Sequence, residues 1–300
     1  MQLIDVRDAD RWEAVRELLA DTEAFDGSPP VSDQAIIAAR QGKRNLYMSD
    51  SAVGIVGEGE IDLVVHPKAR GHGVGDEALR CLLDHHTAAE GGELRTWAHG
   101  QSPSADTLLR SAGFTPIREL LLMSLDPARL PDAISAARPL PAGFDIAAFD
   151  PNSDSNDAAE WVRVNAAAFV NHPEQGQVTL SDFEALQKEP WFDAADLRLA
   201  WVSPSQPREL AGSTWVKTTR GESGVATELY VLGVDPSFTG LGLGAALLGE
   251  TLRRMRDHAP ARITLYVDGD NLGARALYER AGFEVEQRST QWLRSSANKR

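Results

Sequence analysis

The hydrophobic and polar positions in the first half of the chain predict a strand, a loop, a helix and a second strand, in that order. Residues 61–65, which are apolar except for Asp62, are predicted to form a strand, and a proline and a glycine-rich loop follow it. Apolar residues then recur at helical spacing over residues 74–82, and residues 94–98 are predicted to form another strand. A short helix is predicted to end just before Gly113, because glycine is favoured one position after a helix.

The second half of the chain repeats this order with clearer signals. A strand is predicted at residues 228–234, a helix at 243–255 and a strand at 263–267, and a short helix ends before Gly282. Further elements precede them: a strand at residues 144–149, a helix at 158–169, a hairpin of strands at 197–202 and 210–218, and a loop with a helical turn at 170–192.

The two halves align without a gap when Pro67 is placed on Pro236. The same offset superimposes three loop glycines of one half on three of the other, and an Ala-Gly-Phe triplet on an identical triplet. The aligned positions are Gly71, Gly73, Gly75 and residues 112–114 in the first half, and Gly240, Gly242, Gly244 and residues 281–283 in the second. A register kept over so long a stretch indicates two copies of one domain.

The stretch between the two copies is rich in proline and leaves room for at most one short helix. We therefore predict an N-terminal domain at residues 1–126, a linker at 127–142 and a C-terminal domain at 143–300. A chain of 300 residues is long enough to hold two such domains.

Composition and charge restrict the classes of function. Hydrophobic residues make up 42% of the chain and charged residues 25%, which is typical of a globular protein and argues against disorder. The net charge of −14 argues against a protein that coats nucleic acid or an anionic membrane. No apolar run approaches the length of a membrane span, so we expect neither a nucleic-acid nor a membrane partner.

The cysteine and histidine content bears on the cellular compartment and on metal binding. The single cysteine, Cys81, cannot form an internal disulfide, and the first twenty residues are too acidic for a signal peptide, so we expect a cytoplasmic protein. The seven histidines show no ligand spacing with carboxylates or the cysteine, so we expect no metal. We also expect a monomer.

The glycine loops carry the candidate chemistry. A glycine loop between a strand and a helix lets successive backbone N–H groups point at an anion, and the helix dipole adds positive potential, which favours a phosphate-bearing ligand. Residues 240–245 formally satisfy a dinucleotide fingerprint, but a long β-rich stretch precedes this unit, whereas a dinucleotide-binding fold opens with it. No Gly-Lys-Ser/Thr follows, which argues against a P-loop.

Four motifs in the two copies carry a family resemblance. The first copy has Arg-Gly-His-Gly-Val-Gly at residues 70–75, and the second has Glu-Leu-Tyr-Val-Leu-Gly-Val-Asp-Pro at 228–236, Gly-Leu-Gly-Leu-Gly at 240–244 and Ala-Leu-Tyr-Glu-Arg-Ala-Gly-Phe at 276–283. These motifs resemble the acetyl-CoA-binding core of the GNAT superfamily of N-acetyltransferases. The resemblance implies an α/β fold of two tandem domains, each a mixed, mostly antiparallel sheet flanked by helices, with acetyl-CoA as co-substrate.

The resemblance also implies cofactor contacts in both copies. A strand would hydrogen-bond the pantetheine arm, the glycine loop would hold the pyrophosphate, and the start of the last helix would line the rest. In the second copy the matching residues are Leu232, Gly233, Val234, Thr239, Gly240, Leu241, Gly242, Leu243, Gly244, Ala245, Asn271, Leu272, Gly273, Ala274, Arg275 and Ala276. In the first copy they are Leu63, Val64, Val65, Gly71, His72, Gly73, Val74, Gly75 and Asp76.

The second glycine loop departs from the family's pattern. The family usually carries Gln or Arg at the position of Thr239 and commonly Arg at that of Leu241, whereas the first copy keeps Arg70. The second copy is therefore expected to bind pyrophosphate chiefly through backbone N–H groups, with less help from cationic side chains.

The reacting groups are also implied by the resemblance. Acetyl transfer needs a base that takes a proton from the attacking ammonium group and an acid that protonates the leaving thiolate. Glu228 matches the family's acidic position and Tyr278 its general acid, while backbone N–H groups near residues 232–234 could stabilise the oxyanion. Alternation along the strand predicts that Glu228 shares a face with Tyr230, Leu232 and Val234.

The first copy lacks both proposed proton carriers. Gly59 aligns with Glu228, and Leu109 aligns with Tyr278. We therefore predict that the C-terminal domain catalyses, and that the N-terminal domain is a degenerate copy that retains the glycine loop.

Three further motifs suggest an acceptor. Two tandem domains with Trp-Ala-His-Gly at 97–100, Asn-His-Pro-Glu-Gln-Gly at 171–176 and Trp-Val-Lys at 215–217 are similar to GNAT enzymes that acetylate the cysteinyl amine of cysteinyl-glucosaminyl-inositol. The similarity implies acceptor contacts by Asp33, Glu174, Lys217, Glu228 and Tyr266. Two alternatives stay open: an N-acetyltransferase for another amine, such as an aminoglycoside or a peptide, and a non-catalytic acyl-CoA sensor. The presence of a candidate base and acid favours an enzyme.

Overall fold

The chain divides into two units of contacting residues in the computed structural model. The structure describes residues 1–27, 29–89, 92–100, 102–152, 156–170, 175–204, 208–221 and 223–295, without the side chains of residues 33, 34 and 88. The first unit comprises Met1–Leu120 and Gln287–Arg300, and the second comprises Leu121–Glu286. The predicted domain limits, 1–126 and 143–300, follow the sequence repeat instead and stay a prediction.

The first unit is a sheet with helices packed against it. Its helices are α1 (Ala9–Asp26), α2 (Asp33–Arg40), α3 (Val74–Ala89) and α4 (Pro103–Ser111), and its strands are β1 (Gln2–Leu3), β2 (Asn45–Ser49), β3 (Ala52–Gly57), β4 (Glu60–Val65), β5 (Leu94–Ala98), residues 115–120 of β6 (Thr115–Leu125) and residues 287–294 of β12 (Glu284–Arg294). Strands β1 to β4 are antiparallel neighbours in chain order, β4 runs parallel to β5, and β12 pairs antiparallel with β5.

Both faces of this first sheet are buried. Ile55 and Val64 pack in a cluster with α1 and α2, whereas Val56 and Ile61 pack in a second cluster with α3. Because both faces are covered, β3 contains no polar side chain, and β4 is apolar from Leu63 to Val65 after Glu60 and Asp62 at its start.

The second unit has the same architecture with longer central strands. Its helices are α5 (Leu130–Ser135), α6 (Asp157–Ala168), α7 (Leu180–Leu186), α8 (Leu243–Asp257) and α9 (Leu272–Arg280), and its strands are β7 (Phe144–Ala148), β8 (Leu197–Val202), β9 (Leu210–Gly221), β10 (Gly224–Val234), β11 (Arg262–Asp268), residues 121–125 of β6 and residues 284–286 of β12. Strands β7 to β10 are antiparallel neighbours in chain order, and β10 runs parallel to β11.

The predicted helices and strands of the second half are present, with ends that differ by no more than three residues, except that β10 begins at Gly224, four residues before the predicted start. Residues 170–192 differ, because this segment contains the seven-residue helix α7 rather than a single helical turn. Thr179 and Asp182 form a reciprocal capping box that satisfies backbone N–H groups at the start of this helix.

A β-bulge in β10 decides which way its side chains point. Strands β9 and β10 pair Val216 with Leu229 and then Trp215 with Val231, so Tyr230 is an extra residue. The insertion shifts side-chain alternation by one position. Leu229 packs on the side of α8, while Tyr230 and Val231 both pack with Trp215 on the side of α6 and α7.

The prediction that Glu228 shares a face with Tyr230, Leu232 and Val234 is therefore wrong in part. Glu228 lies opposite Lys217, and both point with Tyr230 to the α6–α7 side. Leu232 and Val234 pack instead against residues of α8. Alternation with period two holds only in an uninterrupted strand, and the bulge interrupts this one.

Within the described ranges, no helix combines the length and apolar composition that crossing a bilayer requires. Over the same ranges, no three His, Cys, Asp or Glu side chains are grouped so that they could hold a metal ion.

Candidate active site

A cavity of about 690 Å³ opens beside the glycine loop of the second unit. The loop, the first turns of α8, part of α9 and the α5 segment line it. Eight of the predicted cofactor residues belong to this lining: Val234, Thr239, Gly240, Gly242, Leu243, Gly244, Ala245 and Gly273. Half of the sixteen predicted second-copy cofactor residues therefore line the cavity, and their contact with acetyl-CoA stays a prediction.

The loop presents backbone N–H groups to this cavity. Gly240 and Gly242 have φ of +83° and +84°, and α8 begins directly after Gly242, which makes no side-chain capping hydrogen bond. The first N–H groups of a helix have no partner within the helix, and the helix dipole is positive at this end. These groups form a site for an anion such as a pyrophosphate.

Gly242→Val is expected to weaken acetyl-CoA binding by about tenfold or more. No atom lies within 4 Å of a Cβ placed on Gly242, so the cost arises from the backbone, because a β-branched residue is strained at this positive φ. Relief of that strain would turn the N–H groups away from the phosphates. Isothermal titration calorimetry measures the affinity.

Gly221→Val provides the matched control, since Gly221 has free space and an ordinary φ. An unchanged affinity in the Gly242 variant would contradict the proposed anion site.

Hydrogen bonds hold the turn that leads from β10 into the loop. The Asp235 carboxylate accepts from the Ser237 N–H at 2.9 Å and from Nη1 of Arg163 at 2.8 Å. Burial opposes the charge, but these hydrogen bonds keep the pKa of Asp235 below its ordinary value. The carboxylate therefore stays ionised and anchors the end of the strand next to the loop.

Strands β10 and β11 separate beside the cavity. Their parallel register runs from Ala226–Arg262 to Leu229–Leu265 and ends there, although β10 continues to Val234. In the described part of the chain, residues 231–234 thus have a strand partner on the β9 side alone. Their backbone groups on the β11 side can pair with an extended ligand, as a pantetheine arm would require.

Glu228 stands where this separation begins, in a largely desolvated position. It pairs across the sheet with Lys217 and lies beside Thr264 of β11. Burial raises the pKa of Glu228 above its ordinary value, and the charge of Lys217 partly opposes the rise. A carboxylate with a raised pKa is a better proton acceptor near neutral pH than an exposed one.

Aromatic rings and a cation surround this carboxylate. The Nζ atom of Lys217 lies 5.3 Å from the ring centroid of Trp191 and 5.9 Å from that of Tyr230, which is within cation–π range. Burial raises the pKa of the Tyr266 phenol, and the nearby Glu228 carboxylate raises it further. The structure therefore brings three predicted acceptor residues, Lys217, Glu228 and Tyr266, together.

Tyr278 lies in the core beside α8 rather than with the acceptor residues. It is 7% exposed and packs against Phe283 with ring centroids 6.1 Å apart. Burial raises the pKa of Tyr278 to about 12, so the phenol is protonated at neutral pH. A protonated phenol is a donor, as a general acid must be.

The other eight predicted second-copy contacts do not line the cavity. Leu241 and Leu272 are exposed, Asn271 caps α9 by accepting from the Ala274 N–H at 3.1 Å, and Nη1 of Arg275 donates to the Gly269 carbonyl at 2.9 Å. Leu232, Gly233, Ala274 and Ala276 lie in β10 and α9 without lining the cavity. Glu174 and the side chain of Asp33 lie outside the described residues.

The first unit contains the corresponding loop, but its arginine is engaged elsewhere. The Arg70 guanidinium donates to both carboxylate oxygens of Asp26 at 2.7 Å and, through Nε, to the Val65 carbonyl at 3.1 Å. The predicted contacts in this copy lie on β4 (Leu63, Val64, Val65), in the loop (Gly71, His72, Gly73) and in the first turn of α3 (Val74, Gly75, Asp76). Asp26 thus neutralises the cation that the family pattern assigns to pyrophosphate.

The first unit also lacks the strand segment that carries the candidate base. Strand β4 pairs with β3 only as far as Gly57–Glu60, and the chain turns at Glu58 and Gly59, both of which have positive φ. Gly59, which aligns with Glu228, is therefore part of a tight hairpin turn.

Sequence reasoning did not identify three residues that the structure places at the site. Trp191 lies in a segment without a periodic pattern, and Arg138 lies in the predicted linker. Arg280 belongs to the Ala-Leu-Tyr-Glu-Arg-Ala-Gly-Phe motif, whose Glu-Arg pair was a signal that could have found it. Both arginines line the cavity.

Comparisons with known proteins agree with this geometry. A model of the acetyltransferase (GNAT) family matches residues 165–283. The mycothiol acetyltransferase of Kineococcus radiotolerans is 42% identical over 291 residues, which cover 91% of this chain and 90% of that protein. The mycothiol acetyltransferase of Streptomyces avermitilis is 40% identical over 290 residues, covering 92% and 89%.

Solved structures show the same fold. A tandem GNAT protein from the clavulanic acid biosynthesis pathway superimposes with a TM-score of 0.72 at 16% identity, covering 100% of this chain and 99% of that one. A GCN5-related N-acetyltransferase from Sphaerobacter thermophilus superimposes with a TM-score of 0.66 at 21% identity, covering 94% and 91%. The GNAT resemblance carried by the motifs is thus confirmed, and the chain belongs to the mycothiol acetyltransferase family of GNAT acetyltransferases.

Proposed function

We propose that this protein transfers the acetyl group of acetyl-CoA to the cysteinyl amine of cysteinyl-glucosaminyl-inositol and so forms mycothiol. One observation carries the proposal: in the second unit, a phosphate-binding loop, a gap between parallel strands and a desolvated carboxylate follow one another along β10 and the start of α8. The names of the relatives support the acceptor, and they do not favour another amine or an acyl-CoA sensor.

The geometry supports the following course of reaction. The pyrophosphate of acetyl-CoA binds the N–H groups of residues 240–245, and the pantetheine arm lies along residues 232–234 in the gap beside β11. The ammonium group of the acceptor loses a proton to Glu228, and the neutral amine attacks the thioester carbonyl carbon, forming a C–N bond; the nitrogen then releases its second proton to water. Backbone N–H groups of β10 stabilise the oxyanion. The C–S bond then breaks, and Tyr278 protonates the departing CoA thiolate.

The acceptor side of the site suits a polar, cationic substrate. Glu228 attracts an ammonium group, while Lys217 and the Tyr266 hydroxyl can hydrogen-bond the hydroxyl groups of a sugar or an inositol. Asp33 and Glu174 stay predicted acceptor contacts from the family resemblance. The single cysteine, Cys81, supports a cytoplasmic setting for the reaction.

Mass spectrometry tests this function directly. Purified protein is incubated with acetyl-CoA and cysteinyl-glucosaminyl-inositol, and we expect a product heavier by one acetyl group. Detection by mass avoids the background that the thiol of the acceptor causes in thiol-reagent assays. The same acceptor with its cysteinyl amine blocked is the control, and it should gain no acetyl group. Absence of product from the free amine would contradict the proposal.

A further inference from the structure

We propose that Arg138 and Arg280 bind the 3′-phosphate of CoA, so that the segment joining the two sequence copies forms part of the cofactor site. This inference rests on the proposed use of acetyl-CoA. The observations behind it concern the cavity lining, the pairing of the arginines and the packing of the joining segment.

The joining segment and the end of α9 both contribute to the cavity of the second unit. Ala133, Ala136, Ala137 and Arg138 line it from α5 and the residues that follow, and Arg280 lines it from the last turn of α9. The same cavity contains the glycine loop. Both arginines and the glycine loop therefore line one cavity, which a single ligand can occupy.

The two arginines differ from most others in this unit because they are unpaired. Arg129, Arg163, Arg198, Arg253, Arg254, Arg256, Arg262 and Arg275 all form ion pairs with carboxylates. Among the residues that the structure describes, Arg138 and Arg280 have no acidic partner. Their charges are thus available to an anion in a chain whose net charge is −14.

The glycine loop of the second unit lacks the cationic side chains that would bind a further phosphate group. It carries Thr239 where the family usually has Gln or Arg and Leu241 where the family commonly has Arg, so its own contribution is backbone N–H groups. Such groups suit the pyrophosphate. The 3′-phosphate of CoA is a separate monoester that bears between one and two negative charges at neutral pH. Arginine binds such a group through paired hydrogen bonds as well as charge.

Close packing holds the joining segment in this position. Leu130 and Ala133 are buried in the same cluster as Leu248 and Leu252 of α8. A Cβ placed on Gly249 of α8 would lie 2.7 Å from the Cβ of Ala137, so the absence of a side chain at Gly249 permits the approach. Arg138 directly follows this contact, and its backbone position is therefore set by the packing of its neighbour.

Calorimetric titration with CoA and with 3′-dephospho-CoA tests the assignment. We expect wild-type protein to bind CoA more tightly than 3′-dephospho-CoA. Arg138→Gln and Arg280→Gln should each weaken CoA binding by about tenfold and leave 3′-dephospho-CoA binding unchanged. Arg220→Gln is the matched control, because Arg220 is an exposed arginine of β9 that does not line the cavity, and it should change neither affinity.

Each other outcome has a distinct meaning. Equal weakening of both ligands by the arginine variants would overturn the 3′-phosphate assignment in favour of a pyrophosphate contact. Unchanged CoA binding in both variants would overturn the inference and leave the proposed function intact. Failure of the wild-type protein to bind CoA at all would contradict both the inference and the proposed function.

Discussion

Glu228→Gln is expected to lower kcat by about a hundredfold or more. The substitution keeps the shape of the side chain but removes the group that accepts the proton of the attacking amine. KM for acetyl-CoA should change little, because the glycine loop that binds its phosphates is untouched. Steady-state assays with both substrates measure the two parameters, and thermal unfolding checks that the variant is folded.

The pH dependence of the wild-type enzyme should report the same group. Glu228 must be ionised to act as a base, so kcat should fall as the pH is lowered through its pKa. Burial raises that pKa, so the fall should occur at a higher pH than for an exposed glutamate. Lys217→Met should move the fall in kcat to still higher pH, because it removes the positive charge that lowers the pKa of Glu228.

Glu209→Gln makes the same chemical change at an exposed position outside the site and should leave kcat and the pH profile as in wild type. A Glu228→Gln variant that turned over at the wild-type rate would show that another group, or water alone, takes the proton.

Tyr278→Phe is expected to lower kcat by between about tenfold and a hundredfold with little effect on KM for acetyl-CoA. The phenol has a pKa of about 12 and is therefore protonated at every pH at which the enzyme would work. Removal of its hydroxyl leaves the CoA thiolate to depart without an acid. The ring stays in the core against Phe283, so thermal unfolding should shift only slightly.

A thioester with a more acidic thiol gives the sharper measurement of this role. Its thiolate leaves without protonation, so the deficit of Tyr278→Phe should shrink with such a donor, whereas that of Glu228→Gln should not. Tyr47→Phe is the control, because it removes the hydroxyl group of a buried tyrosine in the first unit, and it should leave turnover unchanged. A deficit that stayed constant across thioesters would argue for a structural role of the hydroxyl.

Much of the second unit was predictable because its signals are local. Helical spacing of apolar residues predicted α8, and Gly282 marked the end of α9. The glycine loop was recognisable because positive φ favours glycine, and its residues do line the cavity. The alignment of Gly59 with Glu228 also anticipated that the first copy has no base at that position, where the structure has a hairpin turn.

The features that were missed depend on contacts between residues distant in the chain. The bulge at Tyr230 arises from the pairing of β10 with β9, and alternation within β10 alone wrongly placed Leu232 and Val234 on the face of Glu228. Arg70 fits the family's motif, but its guanidinium pairs with Asp26 at the end of α1, a contact that the motif does not reveal. The joining segment was predicted as a passive linker, whereas Ala137 packs on Gly249 and brings Arg138 to the cavity.

The sequence by itself determined the duplicated domain, the order of its elements and the position of the glycine loop, because these follow from local backbone preference and from the periodicity of apolar residues. Only the tertiary structure decided which face of β10 carries Glu228, where β10 and β11 separate, and which arginines remain unpaired beside the cavity. These properties depend on strand register and on packing between distant segments, and neither is encoded in any one stretch of residues.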